Sequence, residues 1–79
     1  MLTCEQCRAA RALLDWTQAE LSRQTALSAV SIRAFERGGA MRASNNNLLR
    51  LTFEAAGVQF IPENDGAGVG VRLAQPKIA

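Results

Sequence analysis

The chain has 79 residues, 48% hydrophobic and 20% charged, with nine Lys+Arg, seven Asp+Glu, two Cys and no His or Tyr. That length allows one domain in which every element shares one core. The missing histidine excludes a His–Asp triad, an imidazole metal site and a histidine pH switch, and a Rossmann or barrel enzyme does not fit in this length. A small binding module without catalysis or cofactor is therefore expected. No apolar run approaches the roughly 18 residues of a membrane span. The start, Met1 to Glu5, lacks the basic and apolar regions of a secretion signal. A cytoplasmic protein is expected.

Thr3-Cys4-Glu5-Gln6 has the form of a capping box, with Thr3 as N-cap and Gln6 reaching back. The spacing predicts a helix to about Leu14, with Cys7, Ala10 and Leu14 on one face. Asp15-Trp16 breaks the pattern. Thr17 then caps a second helix, with Glu20 three residues on and Leu21 and Thr25 inward. Thr25-Ala26-Leu27 is a tight connection. Ser28 caps a third helix from Ala29 to about Arg37, with Ile32 and Phe35 inward, and Gly38-Gly39 ends it through the left-handed conformation.

After a polar loop over residues 40–44, Ser44 or Asn45 is expected to cap a fourth helix ending at Ala56, with Gly57 as its stop. Leu48, Leu49, Phe53 and Ala56 supply its apolar stripe, and Asn46, close to that stripe, has no evident role. Val58 to Ile61 then reads as a strand, residues 62–68 as turn chemistry, and Val69 to Leu73 as a return strand. The tail, residues 74–79, is expected to be loose. The fold class is thus mostly α, with four helices and a C-terminal β-hairpin.

The charge is unevenly placed. Residues 1–44 hold six Arg against four carboxylates, and the rest of the chain is balanced. Eight of the nine cations are Arg, whose planar fork suits phosphate oxygens and guanine edges. Cys4 and Cys7 form a lone C-x-x-C. A structural zinc site needs four ligands and a redox pair would sit in a βαβ context, so two reduced structural thiols are expected.

The informative stretch runs from Thr17-Gln18-Ala19-Glu20-Leu21 through Leu27-Ser28 to Ile32-Arg33-Ala34-Phe35-Glu36-Arg37-Gly38. Two short capped helices with inward apolar residues meet at a tight turn. That is helix-turn-helix geometry, which presents its second helix to the major groove. Over roughly residues 7–57 the pattern T-Q-x-E-L, L-S, I-x-x-F-E-R-G resembles the Cro/C1 (Xre-type) helix-turn-helix family of bacterial and phage transcriptional regulators. The ending E-A-A-G-V-x-F with G-V-G-V-R-L is similar to short members with an appended hairpin.

The resemblance implies a four-helix DNA-binding domain over residues 1–57. Residues 58–79 add a hairpin and tail as part of the same domain. It implies phosphate contacts from Thr17, Gln18 and Ser28. Base reading falls to the outer face of helix 29–37, with Ala29, Val30, Ser31, Arg33 and Ala34, and further phosphate contacts fall to Arg37 and Arg42. It also implies that Arg11 pairs with Glu36. Ala26 stands where Gly is common in such turns. Ala29, Val30 and Ala34 suit thymine methyls rather than hydrogen-bonding base edges, and Arg33 suits guanine.

The function expected is a sequence-specific double-stranded DNA-binding regulator, a repressor acting as a homodimer. Val69, Val71 and Leu73 form one apolar row of the hairpin and Val58 with Phe60 another, so the hairpin is expected to help hold the dimer. The weakly polar reading face and the hairpin also motivate a second reading. This is an antitoxin-like module that covers a toxin protein and binds its own promoter.

Overall fold

Three of the four helices start on a hydroxyl. In the computed structural model, which describes residues 1–77, the order is α1 (Cys4–Leu14), α2 (Gln18–Thr25), α3 (Ala29–Glu36), α4 (Ala43–Ala55), β1 (Val58–Ile61) and β2 (Gly70–Leu73). Thr3, Thr17 and Ser28 each accept the backbone N–H three residues on, at 3.1, 3.0 and 3.0 Å. At α1 the capping box is complete, because Gln6 Oε1 also accepts from the Thr3 N–H at 3.0 Å. The chain is mostly α, with a two-stranded antiparallel hairpin. No helix among the described residues is long and apolar enough to cross a membrane.

α4 departs from the expected start. Its N-cap is Arg42, without a side-chain cap bond, rather than Ser44 or Asn45. The reason lies in Asn46, which is buried. Its Oδ1 accepts from the Leu2 N–H at 3.0 Å, and its Nδ2 donates to the Leu2 carbonyl at 2.8 Å. The side chain thus pairs with the backbone as a neighbouring strand would. Asn46 must face inward within the first turn, and the first helical bond, Asn46 N to Arg42 O, sets the start. That register, with Leu49 and Phe53 also buried, turns Leu48 outward. Ala56 is the C-cap and is exposed. Neither belongs to the apolar stripe predicted for this helix.

The helix ends are made by left-handed residues. Asp15 (φ 59°) ends α1 and Ala26 (φ 63°) ends α2. α3 ends at Glu36, one residue earlier than predicted, with Arg37 as its C-cap and Gly38 at φ 98° beyond. Gly39 is required for space rather than dihedral freedom. A Cβ there would stand 2.8 Å from the Ala34 carbonyl oxygen, closer than atoms pack.

The core is one cluster. Cys7, Ala10, Leu21, Ile32, Leu49 and Phe53 are fully buried, with Leu2, Phe35 and Val58 nearly so. Leu14, Trp16 and Leu27 pack against its edge and are only partly buried. Trp16 stacks on Phe53 at 5.9 Å between centroids, and Phe60 meets Phe53 edge-on at 6.0 Å.

In the hairpin Val58 lies opposite Leu73 and Phe60 opposite Val71. Residues directly opposite share a face. The two apolar rows read from the sequence are therefore one face, and it packs on α1 and α4 of the same chain. β2 begins at Gly70, not Val69. There the Ile61 side chain covers the glycine, lying 3.6 Å from where a Cβ would stand. Gln6 Nε2 donates to the carbonyls of Gly70 at 3.0 Å and Ile61 at 3.4 Å, fastening the start of α1 to the loop end of the hairpin. Ala74 still donates its N–H to Gly57 at 2.8 Å. The rest of the tail predicted to be loose includes Ile78 and Ala79, which lie outside the described residues.

Replacing Asn46 by Leu removes both bonds to Leu2 and leaves two backbone groups without partners. Urea denaturation should show a loss of about 1–3 kcal/mol, the usual cost of orphaning buried polar groups.

Candidate nucleic-acid interface

The connection between α2 and α3 is only three residues long, and it is stitched by side chains. Thr25 Oγ1 donates to the Leu21 carbonyl at 2.8 Å and accepts from the Leu27 N–H at 3.2 Å. Ser22 Oγ donates to the Leu27 carbonyl at 2.5 Å. Ala26, at φ 63°, closes α2 by donating its N–H to Ser22. The left-handed conformation crowds the alanine Cβ against backbone, which glycine avoids. With Leu21 and Ile32 fully buried below it, the turn fixes α3 against α2.

The far end of α3 is held by Glu36. The residue is 4% exposed, and its carboxylate accepts from three side chains on two helices. Arg11 on α1 donates in fork fashion, Nε to Oε2 at 2.8 Å and Nη2 to Oε1 at 2.7 Å. Gln18 Nε2 at the start of α2 donates to Oε1 at 2.9 Å, and Cys7 Sγ donates to Oε2 at 3.2 Å. Arg8 donates to the Glu36 backbone carbonyl, and Arg11 also donates to the carbonyl of Trp16 at 3.0 Å. The pairing of Arg11 with Glu36 implied by the family pattern is thus present. Burial alone would raise the Glu36 carboxyl. The hydrogen bonds from Arg11, Gln18 and Cys7 outweigh it and hold the group below its ordinary value. The Cys7 thiol is pushed well above its usual value, first by burial and then by its bond to Glu36. At neutral pH Cys7 is therefore a protonated donor to Glu36.

Sequestering Glu36 changes the charge of the surface around α3. Between residues 24 and 53 it is the only carboxylate in the sequence. Arg33, Arg37 and Arg42 in that stretch are all exposed, and none has a salt-bridge partner among the described residues. Arg50 is balanced by Glu54 at 2.9 Å. Within residues 24–53, α3 and the loop after it therefore expose cations and no anion.

An open groove of about 260 Å³ runs between α3 and the start of α4, lined by Ser31, Ala34, Ala40, Met41, Arg42 and Asn45. The first N–H groups of α4 lack a side-chain cap there, and backbone N–H groups at a helix start suit an anion.

Of the residues singled out from sequence, Ser31, Ala34 and Arg42 come together in this groove. Val30 is 69% exposed on α3, and Arg33 and Arg37 are exposed on α3 and at its C-cap. Thr17 and Ser28 are exposed caps, and Ser28 Oγ also donates to Ser31 Oγ at 2.9 Å. Ala29 is half-buried, so less of it faces outward than expected. Gln18, expected on phosphate, is half-buried and donates from its amide nitrogen to Glu36.

No family model matches the chain, and no curated protein matches it. Sequence reasoning missed the roles of Cys7, Arg8 and Gln18 around Glu36. The signal available was Cys7 and Arg11 at i and i+4, on the α1 face that meets the end of α3.

Ala26→Gly should stabilise the protein by about 0.5–1 kcal/mol, because the relief of left-handed strain exceeds the added chain entropy of glycine. Thermal melting would rise by several degrees. The lowered Glu36 carboxyl sets the sign of a second effect. Its contribution is present above the ordinary carboxylate range and is lost as pH falls through the lowered value. Urea midpoints should therefore fall from pH 7 towards about pH 3. Glu36→Gln should cost about 2–4 kcal/mol at pH 7 and flatten that acid limb.

Proposed function

We propose that the chain is a sequence-specific double-stranded DNA-binding transcriptional regulator, a repressor of the Cro/C1 (Xre-type) helix-turn-helix kind. In this reading it acts in the cytoplasm, without cofactor, as a homodimer. The observation that carries the reading is the exposed, unopposed Arg33, Arg37 and Arg42 along α3 and the loop after it. DNA carries one negative charge per about 1.7 Å of its axis, so such a surface has an obvious counterpart.

In this proposal α3 lies in the major groove. With side chains an α-helix is about 10–12 Å across, which matches a major groove about 12 Å wide. Arg33 takes guanine N7 and O6 bidentately. Val30, with its methyls in solvent, and Ala34 pack on thymine methyls. Ser31 lines the groove with Arg42, and Arg42 and the uncapped start of α4 take backbone phosphate there. Arg37 takes a further phosphate. Thr17 and Ser28 touch phosphate through their hydroxyls and helix starts. Gln18 acts indirectly, by holding Glu36 and so the aim of α3. With so few hydrogen-bonding groups on the reading face, DNA shape supplies part of the specificity.

A binding selection from random DNA, read by sequencing, should yield a site. Against it, Arg33→Ala should lose about 1–3 kcal/mol and relax preference at one base pair. Arg42→Ala should weaken selected and random DNA alike and lower the salt slope by about one. Equal affinity of the unaltered protein for selected and random DNA would sink the proposal.

A further inference from the structure

α4 carries two apolar faces, and only one is used within the chain. Asn46, Leu49 and Phe53 point into the core. Ser44, Leu48, Leu51 and Ala55 follow one another at steps of four, three and four, and all are exposed, Leu48 to 37% and Leu51 to 50%. At 100° per residue this line lies roughly 160° round the helix from the buried face. Steps of three and four are those by which one helix lays a continuous line of side chains against another. Since the opposite face is packed, the helix cannot turn this line inward.

We propose that the line Ser44–Leu48–Leu51–Ala55 docks a second copy of this chain, with the two α4 helices antiparallel about a two-fold axis that passes between residues 49 and 50. The face is complementary to itself under that axis. Ser44 meets the partner's Ala55 and Leu48 meets the partner's Leu51, so small residues meet small ones and the leucines meet at the centre. Beside the line, Asn47 meets the partner's Glu54. Arg50 already prepares this contact. Its Nη1 holds Glu54 Oε1 at 2.9 Å and its Nη2 holds Asn47 Oδ1 at 2.6 Å. That leaves the Asn47 amide nitrogen to donate across the axis to a carboxylate. The line itself carries no charge, and Arg50 and Glu54 cancel at its margin, so two copies approach without net repulsion.

The hairpin is the rival surface, but its apolar face is spent on α1 and α4 of its own chain. Four residues a side make a small contact, so the pair is weak on its own and tightens when both copies sit on one DNA molecule. Only this purpose rests on the DNA-reading proposal. The oligomeric state is measured without DNA, so the two ideas fail separately.

The test is sedimentation equilibrium of the full chain, from about 10 µM to about 1 mM, the range in which so small a contact should associate. A monomer–dimer equilibrium is expected. Leu51→Glu and Leu48→Glu, each at an exposed position, should raise the dissociation constant about 30-fold or more, with the helical circular dichroism unchanged. Ala55→Arg serves as the third variant if either glutamate disturbs folding. Ile61→Glu, on the hairpin, should leave the equilibrium as it was. A chain that stays monomeric throughout overturns the proposal. So does a dimer that survives the α4 variants, or one that Ile61→Glu dissolves.

Discussion

One buried carboxylate orders the helical part of this protein. Glu36 closes α3 and accepts from Arg11 and Cys7 on α1 and from Gln18 on α2, while Arg8 takes the carbonyl of the same residue. A charge in so dry a place is costly unless its oxygens are occupied, and here both are. The network therefore defines one relative position of three helices more sharply than apolar packing does, since apolar contacts are non-directional. The stitched turn at Ala26 fixes the front of α3 and Glu36 fixes its back.

The same residue shapes the outer surface by being absent from it. An exposed glutamate one position before Arg37 would have offset the cations of α3. Buried, it spends its charge on Arg11, and Arg33, Arg37 and Arg42 stand alone. Structural and electrostatic roles thus share one side chain. A substitution at Glu36 would disturb both the aim of α3 and the charge balance around it.

What could be read from the sequence was local. Thr3, Thr17 and Ser28 announce helix starts because a hydroxyl and an N–H three residues away need nothing else. Gly38 and Gly57 announce ends because φ near +100° belongs to glycine. The start of α4 was hidden, because it is decided by Asn46 reaching Leu2, 44 positions back, and no local pattern signals that partner. The merging of two hairpin rows into one face depends on the register, which sets Val58 opposite Leu73 and Phe60 opposite Val71. At the candidate interface the positions of Arg33, Arg37 and Arg42 were legible. The diversion of Gln18 to Glu36 was not, since an amide has no preference for phosphate until the fold supplies a nearer acceptor.

Gln6 carries a consequence for the order in which the chain can settle. Its oxygen completes the cap of α1 with a neighbour three residues away, but its nitrogen needs carbonyls at residues 61 and 70. The first helix can therefore begin as soon as it is made. Its buried amide stays unmatched until residue 70 has been synthesised. Leu2 waits in the same way for Asn46. Residues 2–6 are finished only once residues 46–70 are in hand, so a chain halted after Gly57 holds the four helices but not the acceptors its first turn requires. Folding of this small domain is for that reason a property of the complete 1–73 span, not of the helices with an ornament behind them.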